Sequence, residues 1–280
     1  MAKLLEGKPI ADKIKEQIKQ DIASLSKGLV LASIMAGDNA GAEAYVRSQK
    51  KTAEGLGIVY QFHKLAGDIK EEALIAFIQK LNSDREVNGI IIQMPLPGHI
   101  DYKKISNFIA PEKDVEGMHP ANMGKLVFAN SKILPCTPAA VMELLKETAI
   151  DLYGREVVVV GHSEIVGKPL ALLLLDKFAT VTVCHIGTSK AGKLEEHVKK
   201  AEVLIVAVGK AGLINGEWIK EGAVVIDVGI NRLGDKIVGD VEFEAAEKRA
   251  AFITPVPGGV GPLTVTMLMR NLVEAAKAQG

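Results

Sequence analysis

Apolar residues recur at Ile10, Ile14, Ile18, Ile22 and Leu25, the spacing of one helix face, and the pattern stops before Gly28. The run LVLASIMAG (29–37) is continuously apolar and predicts a buried strand. A helix is expected from about residue 41 to 56, closed by Gly57, and a strand over IVYQFHKLA (58–66). A helix over IKEEALIAFIQKLNSD (69–84), with Asp68 as its cap, leads to another strand, VNGIIIQ (87–93). Apolar strands alternating with helices predict a parallel sheet covered on both faces. Prolines in MPLPGHI (94–100) end the last strand. An irregular stretch then runs through PEKDVEGMHPANMGKL (111–126) to PCTP (135–138), where Pro138 is expected to open a helix. Long irregular segments in α/β domains tend to carry function.

A second alternation begins at Arg155. EVVVVGHSEIVGKPLALLLL (156–175) reads as strand, glycine turn and helix, and the apolar runs of TVTVCHIGTS (180–189), VLIVAVG (203–209), AVVIDVGI (223–230) and AFITPVPGGVGP (251–262) follow. The last helix is TVTMLMRNLVEAAKA (264–278). The fold class is therefore α/β in two domains, a three-layer α/β unit and a Rossmann-like unit with a parallel sheet.

Composition narrows the function classes. The 280 residues are 48% apolar, enough to fill real cores and to exclude a disordered chain. Basic and acidic residues number 34 each and are well mixed, so no nucleic-acid footprint is present. Cys136 and Cys184 are far apart and lack metal-ligand spacing, which predicts reduced thiols, no zinc site and no metal. The N-terminus lacks a signal peptide's apolar core, and no apolar run reaches the ~18 residues that span a bilayer. A cytoplasmic protein without membrane partners is expected.

Several segments suggest chemistry. Gly161 and Gly167 flank Ser163 at a strand-to-helix turn, where helical N–H groups suit a phosphate; an ordinary turn has the same shape. Gly209 and Gly229 close two later strands and favour a nucleotide pocket at the carboxyl ends. His162 and His185 each follow a strand, as basic groups near a ribose phosphate or as plain pocket-edge residues. ITPVPGGVGPLT (253–264) is either a ligand wall or a rigid connector. Tyr45 and Gln49 share a helix face while Lys50 is rotated about 100° away. Asp114 and Glu116 lie in a loop that also suits a surface turn.

The ordered set Tyr45 to Gly57-Ile58, GIIIQMPLPGHI, PEKDVEGMHP, PCTP, VVVVGHSEIVGKP, AEVLIVAVGK, VVIDVGIN, GDVEFEAA and ITPVPGGVGPLTVTMLM resembles the methylenetetrahydrofolate dehydrogenase/cyclohydrolase family from the first helix to the last. The resemblance implies a folate-binding catalytic domain over 1–137, completed by the helix 262–280, and an NAD(P)-binding domain over 138–261. It implies folate in a cleft between the domains, NADP or NAD as cofactor, and a homodimer. By the same resemblance Tyr45, Gln49, Gln93 and Glu116 are the catalytic positions. Lys51, Pro95, Leu96, Asp114, Pro257, Gly258 and Gly259 join Tyr45, Gln93 and Glu116 in binding folate. Gly161, His162, Ser163, Ile165, His185, Thr188, Val208, Gly209, Gly229, Ile230 and Thr264 bind the nucleotide.

Three departures from the family pattern change what is expected. The family's lysine four residues after the tyrosine is tied to hydrolysis of the methenyl group, and Gln49 stands there instead. Lys51 matches a second, less critical lysine. The family's serine is Ala42 here, and Glu116 replaces aspartate in KDVDG. Hydride transfer needs positioning more than a protein acid or base, whereas hydrolysis needs proton transfer. A dehydrogenase with weak or absent cyclohydrolase activity is expected, leaving the hydrolysis to a separate cyclohydrolase. The alternatives are a fully bifunctional enzyme making 10-formyltetrahydrofolate and a non-catalytic nucleotide sensor. His162, where NADP-using relatives often place arginine, leaves NAD and NADP balanced.

Overall fold

The computed structural model describes residues 1–25 and 27–280. In chain order the elements are β1 (Lys3–Leu4), α1 (Gly7–Ala23), β2 (Val30–Ala36), α2 (Ala40–Gly55), β3 (Val59–Leu65), α3 (Glu71–Ser83), β4 (Gly89–Ile92), α4 (Tyr102–Ser106), α5 (Pro120–Val127) and α6 (Cys136–Glu147). There follow β5 (Glu156–Val160), α7 (Gly167–Leu175), β6 (Thr180–Cys184), α8 (Ile186–Lys190), α9 (Leu194–Lys200), β7 (Val203–Val206), β8 (Val224–Asp227), β9 (Asn231–Leu233), β10 (Lys236–Val238), α10 (Phe243–Arg249), β11 (Phe252–Ile253) and α11 (Val260–Gln279). They form two compact units, Lys13–Cys136 with Val265–Gly280, and Met1–Asp12 with Thr137–Thr264.

In the first of these, β2 lies between β3 and β4 in a parallel sheet of order β3-β2-β4. Its residues from Leu31 onward are buried because both faces are covered. Ala32 and Ile34 pack with Ile90 and Ile92 against Leu74, Ile78 and Leu81 of α3. Leu31 and Ile91 face Ile18 of α1 and Leu268 and Leu272 of α11. Each such aliphatic side chain contributes about 1.5–3 kcal/mol on burial.

Three local expectations change. β3 is an edge strand that the helices cover incompletely: Val59 and Phe62 remain 55% and 39% exposed, whereas β4, the other edge, is buried throughout. Asp68 does not cap α3; Lys70 holds the N-cap position without a side-chain hydrogen bond, and Glu71 and Glu72 meet the helix dipole instead. Pro138 does not open α6, which begins at Cys136; proline fits the first turn because an N–H there has no intrahelical acceptor.

The second unit has six strands, all parallel, in the order β1-β11-β8-β7-β5-β6. From β5 the chain first adds β6 on one side and then crosses to β7 on the other. That reversal makes a crevice at the carboxyl ends of β5 and β7, the place where open α/β sheets bind ligands. β1 pairs with β11 through only two residues, Lys3 with Phe252 and Leu4 with Ile253, and so ties the first residues of the chain to this sheet.

The loop after α4 is anchored from beneath by a buried cation. Lys113 is 6% exposed, and its Nζ donates to the backbone carbonyls of Leu81 (3.0 Å), Asn82 (2.8 Å) and Asp84 (2.6 Å) at the end of α3. A protonated amine satisfies three acceptors that the helix terminus leaves open. Its own carbonyl accepts from Ile90 N at 2.8 Å, which fastens the loop to β4. Replacing Lys113 with Met should cost about 2 kcal/mol or more, because several buried acceptors lose their donor. The thermal midpoint of the first unit should fall by roughly 4–8 °C; an unchanged midpoint would show that the anchor is dispensable.

Candidate active site

Polar side chains gather where α2 covers the sheet of the first unit. The buried stripe of α2 is Ala42, Val46, Gln49 and Ala53, so Gln49 is the polar member of an otherwise apolar face. It is fully buried, whereas Tyr45, one turn earlier, is 38% exposed. Gln93 is the first residue past β4, fixed there by its N–H donating to Ile34 O at 2.8 Å.

A closed set of hydrogen bonds joins the two amides to the sheet. Gln93 Nε2 donates to Gln49 Oε1 (2.8 Å) and to Ser33 Oγ (3.0 Å), while Tyr60 donates its hydroxyl hydrogen to the same Gln49 Oε1 (2.7 Å). Gln49 Oε1 is thereby saturated. Its Nε2 is buried and has no hydrogen-bond partner among the described residues. A ligand atom with a lone pair would satisfy that donor. The Tyr45 hydroxyl, which this amide approaches without reaching hydrogen-bond geometry, is shifted strongly upward in pKa, first because the hydroxyl end of the ring is stripped of water and then by Cys136 and Glu116. Burial likewise pushes the Tyr60 hydroxyl up to about 12, against a hydrogen bond from Ser33.

The second group comes from the loop after Lys113. Asp114 accepts at Oδ1 from Glu116 N (3.2 Å) and at Oδ2 from His119 N (2.8 Å) and Asn122 Nδ2 (3.0 Å), so its carboxylate organises its own loop. Glu116 is different. Burial, helped by the negative charge of Asp114 and opposed by a hydrogen bond from the Ile92 backbone, pushes its carboxyl up to about 8. A carboxylic acid that keeps its proton at neutral pH can donate a hydrogen bond. Tyr102 and Cys136 feel the same carboxyls, and burial with those charges raises both their pKa values. Asn271 holds Cys136 in place, donating to Val115 O (2.8 Å), Leu134 O (2.7 Å) and Cys136 Sγ (3.5 Å).

The structure thus brings Tyr45, Gln49, Gln93 and Glu116 into one electrostatic neighbourhood of the first unit. Lys51 is exposed on α2, and no hydrogen bond connects it to the network among the described residues. Pro95 and Leu96 follow Gln93 past a cis Met94–Pro95 bond. Pro257, Gly258 and Gly259 belong to the second unit, after a cis Val256–Pro257 bond. Ser33, Tyr60, Tyr102 and Asn271 escaped the sequence reading. Ser33 had a signal, a lone hydroxyl within an apolar strand; the others had none, since their roles depend on contacts across the fold.

In the second unit the expected nucleotide residues collect at the carboxyl ends of β5 to β8. Gly161 has φ +122°, and a methyl group there would lie 2.3 Å from Ala207 O, so β5 and the loop after β7 can approach only because this residue is glycine. Ser163 Oγ accepts from Val166 N at 3.1 Å and shapes the turn into α7. His185 caps α8, its Nδ1 accepting from Gly187 N (3.1 Å) and its own N–H donating to Thr188 Oγ1 (3.2 Å). The rings of His162 and His185 are 5.1 Å apart. Ile165, Val208 and Ile230 are 52%, 38% and 68% exposed, apolar surface that suits the faces of planar rings. Thr264 lies one turn into α11, its hydroxyl donating back to Val260 O at 3.4 Å. This set fits a dinucleotide. Among the described residues no group of three or more His, Cys, Asp or Glu could hold a metal, and both cysteines are free thiols.

Comparisons with known proteins agree with this picture. A family model described as tetrahydrofolate dehydrogenase/cyclohydrolase, catalytic domain, matches residues 5–116, and one described as its NAD(P)-binding domain matches residues 135–280. The bifunctional protein FolD of Acetivibrio thermocellus is 52% identical over 99% of this chain and 98% of its own length. The crystal structure of the bifunctional methylenetetrahydrofolate dehydrogenase/cyclohydrolase from Campylobacter jejuni superimposes with a TM-score of 0.96 at 44% identity, covering 100% of both chains. The Trypanosoma brucei dehydrogenase-cyclohydrolase, solved with NADP and an inhibitor, gives 0.94 at 38% identity over 99% of this chain and 98% of that one.

Glu116 generates a prediction about pH. Its folded pKa of about 8 lies above the ordinary 4.5, so its contribution to stability is fully present below about pH 4.5 and is lost as pH rises through 8. The Glu116→Gln variant should therefore gain stability relative to the parent as pH rises from 5 to 8, with a midpoint difference growing by roughly 7–14 °C. Melting curves at the two pH values decide it, and a constant difference would mean that Glu116 is ionised throughout.

Proposed function

Because the chain belongs to the tetrahydrofolate dehydrogenase/cyclohydrolase family, we propose that it oxidises 5,10-methylenetetrahydrofolate to 5,10-methenyltetrahydrofolate, with hydrolysis of that product weak or absent. NADP or NAD supplies the hydride acceptor when bound. The residues of the chain do the rest: they hold, orient and exclude water. The observation that carries the weak-hydrolysis reading is Gln49. It is buried, it is neutral at every pH, and its only acceptor is saturated by Tyr60 and Gln93. It can donate to a bound folate through Nε2 but cannot take or deliver a catalytic proton. Tyr45 supplies an aromatic face, and Glu116, holding its proton, supplies a hydrogen-bond donor beside it.

A specific observation favours the fully bifunctional reading, in which the product is 10-formyltetrahydrofolate. Glu116, poised at about 8, is an acid and base within the influence of Tyr45. In that reading it moves the protons that a lysine at position 49 would otherwise move.

For the nucleotide, His162 and His185 present imidazoles where an arginine fork would grip a 2′-phosphate, and imidazoles match it less well. The enzyme therefore takes NADP or NAD. No helix among the described residues is long and apolar enough to cross a membrane, which suits a cytoplasmic enzyme of soluble folates. The hairpin of β9 and β10 exposes Leu233 and Ile237 beside a cavity of about 620 Å³ lined in part by Val238, Val241 and Phe243, apolar surface that suits a homodimer. A separate cyclohydrolase consumes the methenyl product.

Two measurements test this. Decay of 5,10-methenyltetrahydrofolate should proceed at the blank rate in the presence of protein that reduces NADP or NAD with methylenetetrahydrofolate; clear acceleration would transfer the hydrolysis to Glu116 or another group. The Gln49→Lys variant should speed that decay by at least about tenfold, the usual lower end of what one acid or base contributes. If it does not, the hydrogens that Gln93 and Tyr60 point at position 49, or Ala42 and Glu116, block the step.

A further inference from the structure

Two buried carboxylates of the second unit lie outside the assignments above. Asp227 ends β8, Asp240 follows the β9–β10 hairpin, and they are 4% and 0% exposed. Among the described residues the Asp240 carboxylate accepts four hydrogen bonds. Its Oδ2 accepts from Val208 N (2.7 Å) and Gly209 N (3.0 Å), and its Oδ1 from Lys210 N (2.8 Å) and Asn231 Nδ2 (2.8 Å). Three successive backbone N–H groups converging on one point make an anion-binding nest. Here the anion is a side chain delivered from beyond the hairpin.

Asp227 holds the other end of the arrangement. Its Oδ1 accepts from Gly229 N (2.9 Å) and Asp240 N (3.0 Å), and its Oδ2 from Val241 N (2.9 Å). The packing admits no side chain between them: a methyl group at Gly229 would lie 2.2 Å from the Asp240 carboxyl carbon. Burial and the neighbouring Asp240 charge push Asp227 up to about 6, while the backbone donors pull it down.

The two loops folded around Asp240 are those that carry Val208 and Gly209 after β7, and Gly229 and Ile230 after β8. Val208 and Ile230 are exposed, although the backbone beside each is clamped from behind. We propose that Asp240 is a positioning residue for the nicotinamide dinucleotide, holding both loops in the conformation that presents these side chains, with Asp227 fixing Asp240 in turn. The inference rests on reading this unit as the nucleotide site. It predicts that disturbing the carboxylate weakens nucleotide binding and leaves folate binding alone.

Asparagine at 240 offers one acceptor oxygen and turns an NH2 group toward backbone N–H donors. The full chain and its Asp240→Asn variant are to be titrated with NADP and with NAD by calorimetry, alongside KM values for nucleotide and for methylenetetrahydrofolate. A rise of at least tenfold in nucleotide Kd and KM is expected, with folate KM within twofold and the circular dichroism spectrum unchanged. A folded variant that binds nucleotide within twofold of the parent would overturn the positioning role. So would parallel changes in both KM values, which a merely structural role produces. Failure of the parent itself to bind either nucleotide would instead overturn the nucleotide reading, and the inference with it. If Asp240→Asn does not fold, Asn231→Ala decides, since it removes one donor from the same carboxylate: about a threefold rise in nucleotide Kd supports the role, and no change overturns it.

Discussion

Both main sheets are parallel throughout, and a parallel strand can be re-entered only through a crossover connection. Every carboxyl end in each sheet therefore opens onto one edge, and the loops there are free of the ladder. The chemistry follows from that constraint. Gln93 is the first residue beyond β4, Gly161 and His162 follow β5, His185 follows β6, Val208 and Gly209 lie past β7, and Gly229 and Ile230 past β8. The strands buried on two faces supply rigidity, and the loops at their ends carry the candidate site residues.

Within the first unit, direction matters as much as placement. A buried amide that accepts twice at its oxygen is locked in orientation, because turning it would set two donors against its NH2 group. Tyr60 and Gln93 do this to Gln49. The surroundings of position 49 thus complement a neutral amide, and its free hydrogens have one direction left.

Three buried ionic groups hold the loops that the sheets leave free. The ammonium of Lys113 gathers carbonyls from the end of α3, Asp114 gathers donors from its own loop, and Asp240 gathers amides after β7. Each satisfies several backbone groups that a loop would otherwise bury unpaired. A single charge with three or four partners gives a loop one conformation, which the positioning of reactants requires.

Much of this was legible along the chain. The period of apolar residues marked α1, α2, α3 and the strands β2, β4, β5 and β7, because their burial is continuous and local pattern reports it. Motif order marked Gln49, Gln93, Glu116, Gly161 and Gly209, whose identities carry chemistry by themselves. The sequence could not announce that β3 is an edge, that two residues of β1 pair with β11, or that burial beside Asp114 raises the Glu116 pKa. Nor could it bring Ser33 and Tyr60 to Gln49, or Asp240 to the amides of Val208, Gly209 and Lys210. Those facts depend on which groups share a low-dielectric space after folding, and distance along the chain carries no information about that. The sequence by itself determined the elements and the kinds of groups present; the tertiary structure decided their partners, their protonation and the direction of each hydrogen.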